Sequence, residues 1–201
     1  MRIFIITGLL LVLAASCIPS LFPLYTEKDL VTDDRLVGTW DAGDSSIWIV
    51  DRLDYNPKPD PWHPAWTPPA KQKSYRLTVL EDHGGDTLKA EFSMHMLVLD
   101  GKYFLNYFPT EYTLDHEFLS WHMIEANNFS RVRVTQDSLV LNFFDPSRIE
   151  EMIDQNRIRI AHIRYDNGIL ITAPTRDLQQ FIIKYGEEPG FLLDPDILKR
   201  I

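Results

Sequence analysis

Chemistry in this 201-residue chain would have to come from few side chains. His95, His122 and His162 each sit within a stretch that reads as β-strand, and imidazoles converging from neighbouring strands would suit zinc, copper or haem. No two of the six histidines, however, stand at the spacing of a local ligand pair. Each is therefore read as a packed structural histidine, and no metal or other cofactor is assigned. The 29 acidic residues make carboxylate pairs easy to find and give no way to single one out. No Gly-x-Ser-x-Gly elbow, phosphate-binding glycine loop or His-Glu-x-x-His helix occurs. A cysteine nucleophile would have to be Cys17, the single cysteine, and its setting points elsewhere. No catalytic residue is assigned, and binding is expected rather than catalysis.

Cys17 ends a stretch built like an export signal. Arg2 gives a positive start, residues 3–15 are apolar apart from Thr7, and the small residues Ala14, Ala15 and Ser16 precede the cysteine. The apolar run is shorter than the about 20 residues that cross a bilayer core, which suits the middle region of a signal peptide. Leu13-Ala14-Ala15-Ser16-Cys17 resembles a bacterial lipobox, with Ala14 where Leu is the commoner choice. The resemblance implies cleavage before Cys17, a diacylglycerol on its thiol and attachment of the mature chain to a membrane. Two or more acyl chains, at about 0.8 kcal/mol per buried methylene, make a stable anchor. Acylation also accounts for the lone cysteine in an exported protein. Ile18 follows where Asp would stand; in the sorting pattern this resembles, that implies the cell envelope, on the periplasmic side of the outer membrane.

The expected organisation is a signal peptide over 1–16, a lipidated N-terminus and tether over 17–35, and one domain over 36–201. The formal charge of −9 becomes more negative when Arg2 is removed. Surplus acid excludes nucleic acid and anionic membrane surfaces as partners held by charge, so the lipid has to supply the membrane binding.

From residue 36 onward, short branched and aromatic stretches alternate with Gly, Asp, Asn and Pro clusters, the pattern of antiparallel sheet. Strands are expected over 36–40, 46–50, 74–81, 88–99, 103–108, 118–125, 130–135, 138–144, 158–165 and 169–172. Asp100-Gly101 is the strongest two-residue turn signal, because such a turn needs positive φ at both central positions. Strands close in sequence should thus be neighbours, giving a mainly β meander. Two segments carry helical spacing instead: 146–156, with Ile149, Met152 and Ile153, and 175–186, with Thr175 as N-cap and Leu178, Phe181, Ile182 and Tyr185 as its apolar stripe.

Gly38-Thr39-Trp40, opening a single small β domain that ends in a helix, resembles the Gly-x-Trp signature of the lipocalin and wider calycin group. Thr172-Ala173-Pro174-Thr175 through Leu178-Gln179-Gln180-Phe181 is also similar to the end of uncharacterised bacterial lipoproteins. The resemblance implies an antiparallel meandering barrel in which Gly38 lets the chain bend at the closed end and Trp40 packs across it. No later Thr-Asp-Tyr motif is present, and a helix precedes the last two expected strands.

The proline-rich stretch 56–69 holds Trp62 and Trp66. It is too rich in proline for helix or ladder and reads as a stiff loop. In lipocalins the loop after the first strand often lids the barrel mouth, which would put Trp62 and Trp66, with His95 and His122 on the strands, around a small apolar ligand. Side chains could equally fill the barrel, and the partner would then be another envelope protein.

Overall fold

The computed structural model describes residues 18–53, 73–111, 123–166 and 168–201. Its strands follow the two-residue period of the sequence. β1 (Leu30–Val31), β2 (Gly38–Asp41), β3 (Ser46–Arg52), β4 (Ser74–His83), β5 (Asp86–Leu99), β6 (Lys102–Glu111), β7 (Asn128–Val134), β8 (Ser138–Phe143) and β11 (Asp196–Arg200) form one sheet. Eight of these close on themselves in the order β2-β3-β4-β5-β6-β7-β8-β11, with every neighbour antiparallel. The protein is thus a mainly β, closed, up-and-down antiparallel barrel. The short β1 extends β5 past the end of β4, with Leu30 opposite Leu97.

The turns behave as their residues require. Asp100 and Gly101 adopt φ of 48° and 73°, the doubly positive geometry of a tight hairpin, and join β5 to β6. The inward positions are mostly apolar: Trp40, Val50, Tyr75, Leu77, Met94, Met96, Leu105, Tyr107, Val132, Leu139, Leu141 and Leu198 are all buried in one interior cluster.

A second core lies outside the barrel wall. Leu97, Leu99, Phe104 and Phe129 point away from the bore and are nonetheless buried, so the end of β5, Met96-Leu97-Val98-Leu99, reads as the unbroken apolar run expected when both faces are covered. The cover is built between β8 and β11. It consists of α1 (Pro146–Asp154), the hairpin β9 (His162–Tyr165) with β10 (Gly168–Ile171), and α2 (Thr175–Tyr185). Asp145 caps α1 by accepting from the Ser147 and Arg148 amides, and Pro146 starts it. Phe144 centres the layer, its ring 5.3 Å from Phe129, 5.6 Å from Phe191 and 6.4 Å from Phe104.

The later strands and one helix cap differ from expectation. The segments 158–165 and 169–172 were expected to continue the main sheet, but they pair only with each other as β9 and β10. The barrel is closed instead by β11, whose five residues carry a single buried side chain, Leu198, and so give little pattern to read. Thr175 does not cap α2: Pro174 holds that position, and the Thr175 hydroxyl donates to the Pro23 carbonyl at 2.8 Å. In the segment 17–35, whose first part reads as a tether and whose Leu21, Phe22, Leu24 and Tyr25 are too apolar for a fully solvated linker, Ile18, Leu24 and Leu30 are buried in the second core. The strand expected over 118–125 falls mainly outside the described residues, and residues 123–125 belong to no strand.

Candidate functional site

A barrel offers its bore as the first place to look for function. At one end the 3₁₀ turn Asp34–Leu36 folds across the opening. Leu36 is buried, and its carbonyl accepts from Trp40 Nε1 at 2.9 Å. The Arg200 guanidinium stacks on the Trp40 ring at 4.1 Å and donates to the carbonyls of Val37, Arg35 and Gln136. Gly38 permits this approach. Its φ is 143°, and a Cβ there would lie 2.2 Å from an Arg200 nitrogen. Tyr75 reaches up from the wall, accepting from the Asp33 amide at 2.7 Å and lying 3.1 Å from the Asp33 carbonyl. Burial raises its phenol pKa, so it stays neutral.

Farther along the bore, rings from different walls meet. Trp48 on β3 stands edge-on to Tyr107 on β6 at 6.1 Å, and Tyr107 stacks on Phe143 of β8 at 6.3 Å. Tyr107 Oη shares a 2.9 Å bond with Ser130 Oγ. The polar atoms of Trp40, Tyr75 and Tyr107 are thus partnered by the protein itself. Among the described residues the bore is lined by buried apolar side chains whose polar atoms are already engaged.

His95 lies on the other face of the wall. It is 5% exposed, beneath Tyr25 of the N-terminal segment, with ring centroids 4.5 Å apart. Neither of its nitrogens has a hydrogen-bond partner among the described residues. Burial pushes its pKa down to about 4 and that of Tyr25 up to about 12, so both are neutral near pH 7. Beside them Asn106, fully buried, accepts from the Leu24 amide at 2.9 Å and donates to Asn127 Oδ1 at 3.0 Å. This polar pair was not singled out in the sequence, where isolated asparagines are indistinguishable from turn residues. His162 sits on β9 with Nδ1 2.8 Å from the Ile160 carbonyl. Among the described residues no cluster of His, Cys, Asp and Glu could hold a metal.

The structure therefore brings Gly38 and Trp40 together and places His95 outside the bore. Cys17, Trp62, Trp66 and His122 lie outside the described residues. The roots of the loop bearing Trp62 and Trp66 are described: Leu53 donates to the Ser74 carbonyl, Arg52 pairs with Asp34, and Lys73 donates to the Leu30 carbonyl. The loop thus springs from the end sealed by Trp40. The connection after the first barrel strand is the four-residue turn 42–45.

One open cleft of about 440 Å³ lies between α2 and the chain leading into β9. Phe181 and Tyr185 line it with Arg157, Arg159, Lys184 and Asp177. Arg157 is engaged by Glu188 at 2.8 Å, and Lys184 lies over the Tyr185 ring, so two of its three cations are already occupied. No helix among the described residues is long and apolar enough to cross a membrane. No protein-family model matches the chain, and no curated protein or solved structure matches it either.

Proposed function

We propose that this is a lipid-anchored protein of the bacterial cell envelope, of calycin type, whose barrel is a filled scaffold that presents its outer surface to an envelope partner. The observation that carries the scaffold reading is the packed bore. Trp40 and Leu36 seal one end, the rings of Trp48, Tyr107 and Phe143 meet farther along the bore, and buried aliphatic side chains line the rest of it. Each fully buried large apolar side chain contributes roughly 1.5–3 kcal/mol by leaving water, so a ligand entering the bore would have to displace packing that holds the fold. The anchor is supported by the lipobox-like run ending at Cys17 and by the absence of any other cysteine. The calycin reading is supported by Gly38-Thr39-Trp40 on the first strand of an up-and-down barrel.

A second reading keeps a small apolar ligand. Trp48, Phe92 and Phe143 are only partly buried, so an apolar molecule could rest on them without entering the bore. Native mass spectrometry on protein purified from its own envelope separates the two. The scaffold reading expects the bare acylated mass, and a stoichiometric co-purified small molecule would replace it with the ligand reading. Cys17→Ala should move the protein from the membrane to the soluble fraction; retention in the membrane pellet would refute the anchor.

A further inference from the structure

Where the chain enters the folded body, large apolar side chains stay outside. Ile18 is buried. Residues 19–21 are then fixed by backbone bonds: Ser20 exchanges two with Asn127, at 2.9 and 2.8 Å, the Leu21 amide donates to Ile171 and the Ile171 amide to Pro19, both at 2.9 Å. Immediately beyond, Leu21 and Phe22 are exposed, as are Met123 and Ile124 on the chain leading to Asn127. Three residues of chain span at most about 11 Å and two about 7 Å. Ile124 and Phe22 therefore lie within those distances of the Ser20–Asn127 pair. Four large apolar side chains from two mutually locked segments differ from singly scattered exposed residues, which need no explanation.

We propose that this face rests on the lipid bilayer that holds the acyl chains of Cys17, so that the barrel is seated on the membrane in a fixed orientation. The proposal rests on the anchoring reading above. Chain connectivity selects the occupant. Cys17 is bonded directly to Ile18, whose side chain is already buried, so no free spacer separates an acylated Cys17 from the body. The patch is therefore held within a few residues of the lipid. With a formal charge of −9 on the chain, the contact comes from apolar insertion rather than from attraction to anionic headgroups. Glu125, exposed next to Ile124, confines insertion to the headgroup level.

The test uses the mature protein, acylated at Cys17, in phosphatidylcholine vesicles. An environment-sensitive fluorophore is placed at Ile124→Cys, or at Ile201→Cys as control. The two positions are 70% and 69% exposed, and Ile201 lies beside Thr39 at the Trp40 end. A spin label on the lipid headgroup should quench the probe at position 124 several-fold more than at 201. Adding Phe22→Ser and Met123→Ser should abolish that preference while the protein still floats with the vesicles. Equal quenching at 124 and 201 in protein that floats overturns the seating and leaves the anchor standing. Protein that does not float overturns the anchor, and the seating with it.

Discussion

Acid should destabilise this fold through His95, and the size of the effect follows from its surroundings. The imidazole is buried under Tyr25 without a hydrogen-bond partner among the described residues, and its pKa falls from about 6.5 to about 4 because the cation cannot be solvated there. Below about pH 6.5 the unfolded chain takes up this proton while the folded protein does not, so the unfolded state binds more protons. Stability is then complete above about pH 6.5, declines as pH falls and levels off below about pH 4. A gap of about 2.5 units at 1.36 kcal/mol each amounts to about 3 kcal/mol. His95→Phe keeps a ring against Tyr25 and removes the proton site, so it should be at least as stable as the parent near neutral pH. Urea unfolding followed by tryptophan fluorescence, repeated between about pH 7.5 and pH 4, gives the difference between the two proteins at each pH. The variant should gain about 3 kcal/mol on the parent across that range. A difference that changes by less than about 1 kcal/mol would refute burial of an unpartnered imidazole at this position.

Asn106→Leu keeps the branched shape of the side chain and leaves the Leu24 amide and Asn127 Oδ1 without their partner. A loss of about 2–4 kcal/mol is expected, with faster hydrogen exchange at Leu24 and unchanged protection in β4. Gly38→Ala should cost about 2 kcal/mol, from positive φ and from collision with Arg200. In an Arg200→Ala background the same substitution should cost less, because only the backbone component remains, and a double-mutant cycle in thermal or chemical unfolding measures the difference.

Much of the architecture is legible in local pattern. The Asp100-Gly101 turn declares itself because two successive positive φ values suit few residues. α1 and α2 appear where apolar residues recur at helical spacing, within two residues of the expected ends. The limits fall at long range. β11 has one buried side chain, and its place is set by pairing with Leu139 and Trp40, far away in sequence. β9 and β10 have strand-like composition, but nothing in them says that they pair only with each other.

By itself, then, the sequence determined the two-residue alternation, the hairpins from β2 to β6 and the helix positions, because pleat, turn and helical period act over a few residues. It set His95 beside a ligand in the barrel, whereas Met94 and Met96 face the bore and His95 and Leu97 the other side, all four of them buried. That was decided by the tertiary structure, in which the N-terminal segment and the α1–α2 layer cover the outer wall. The same covering fixes the chain just after Cys17 and leaves His95 neutral beneath Tyr25. A strand buried on both faces carries no contrast between inside and outside, so only contacts between distant segments can assign its sides.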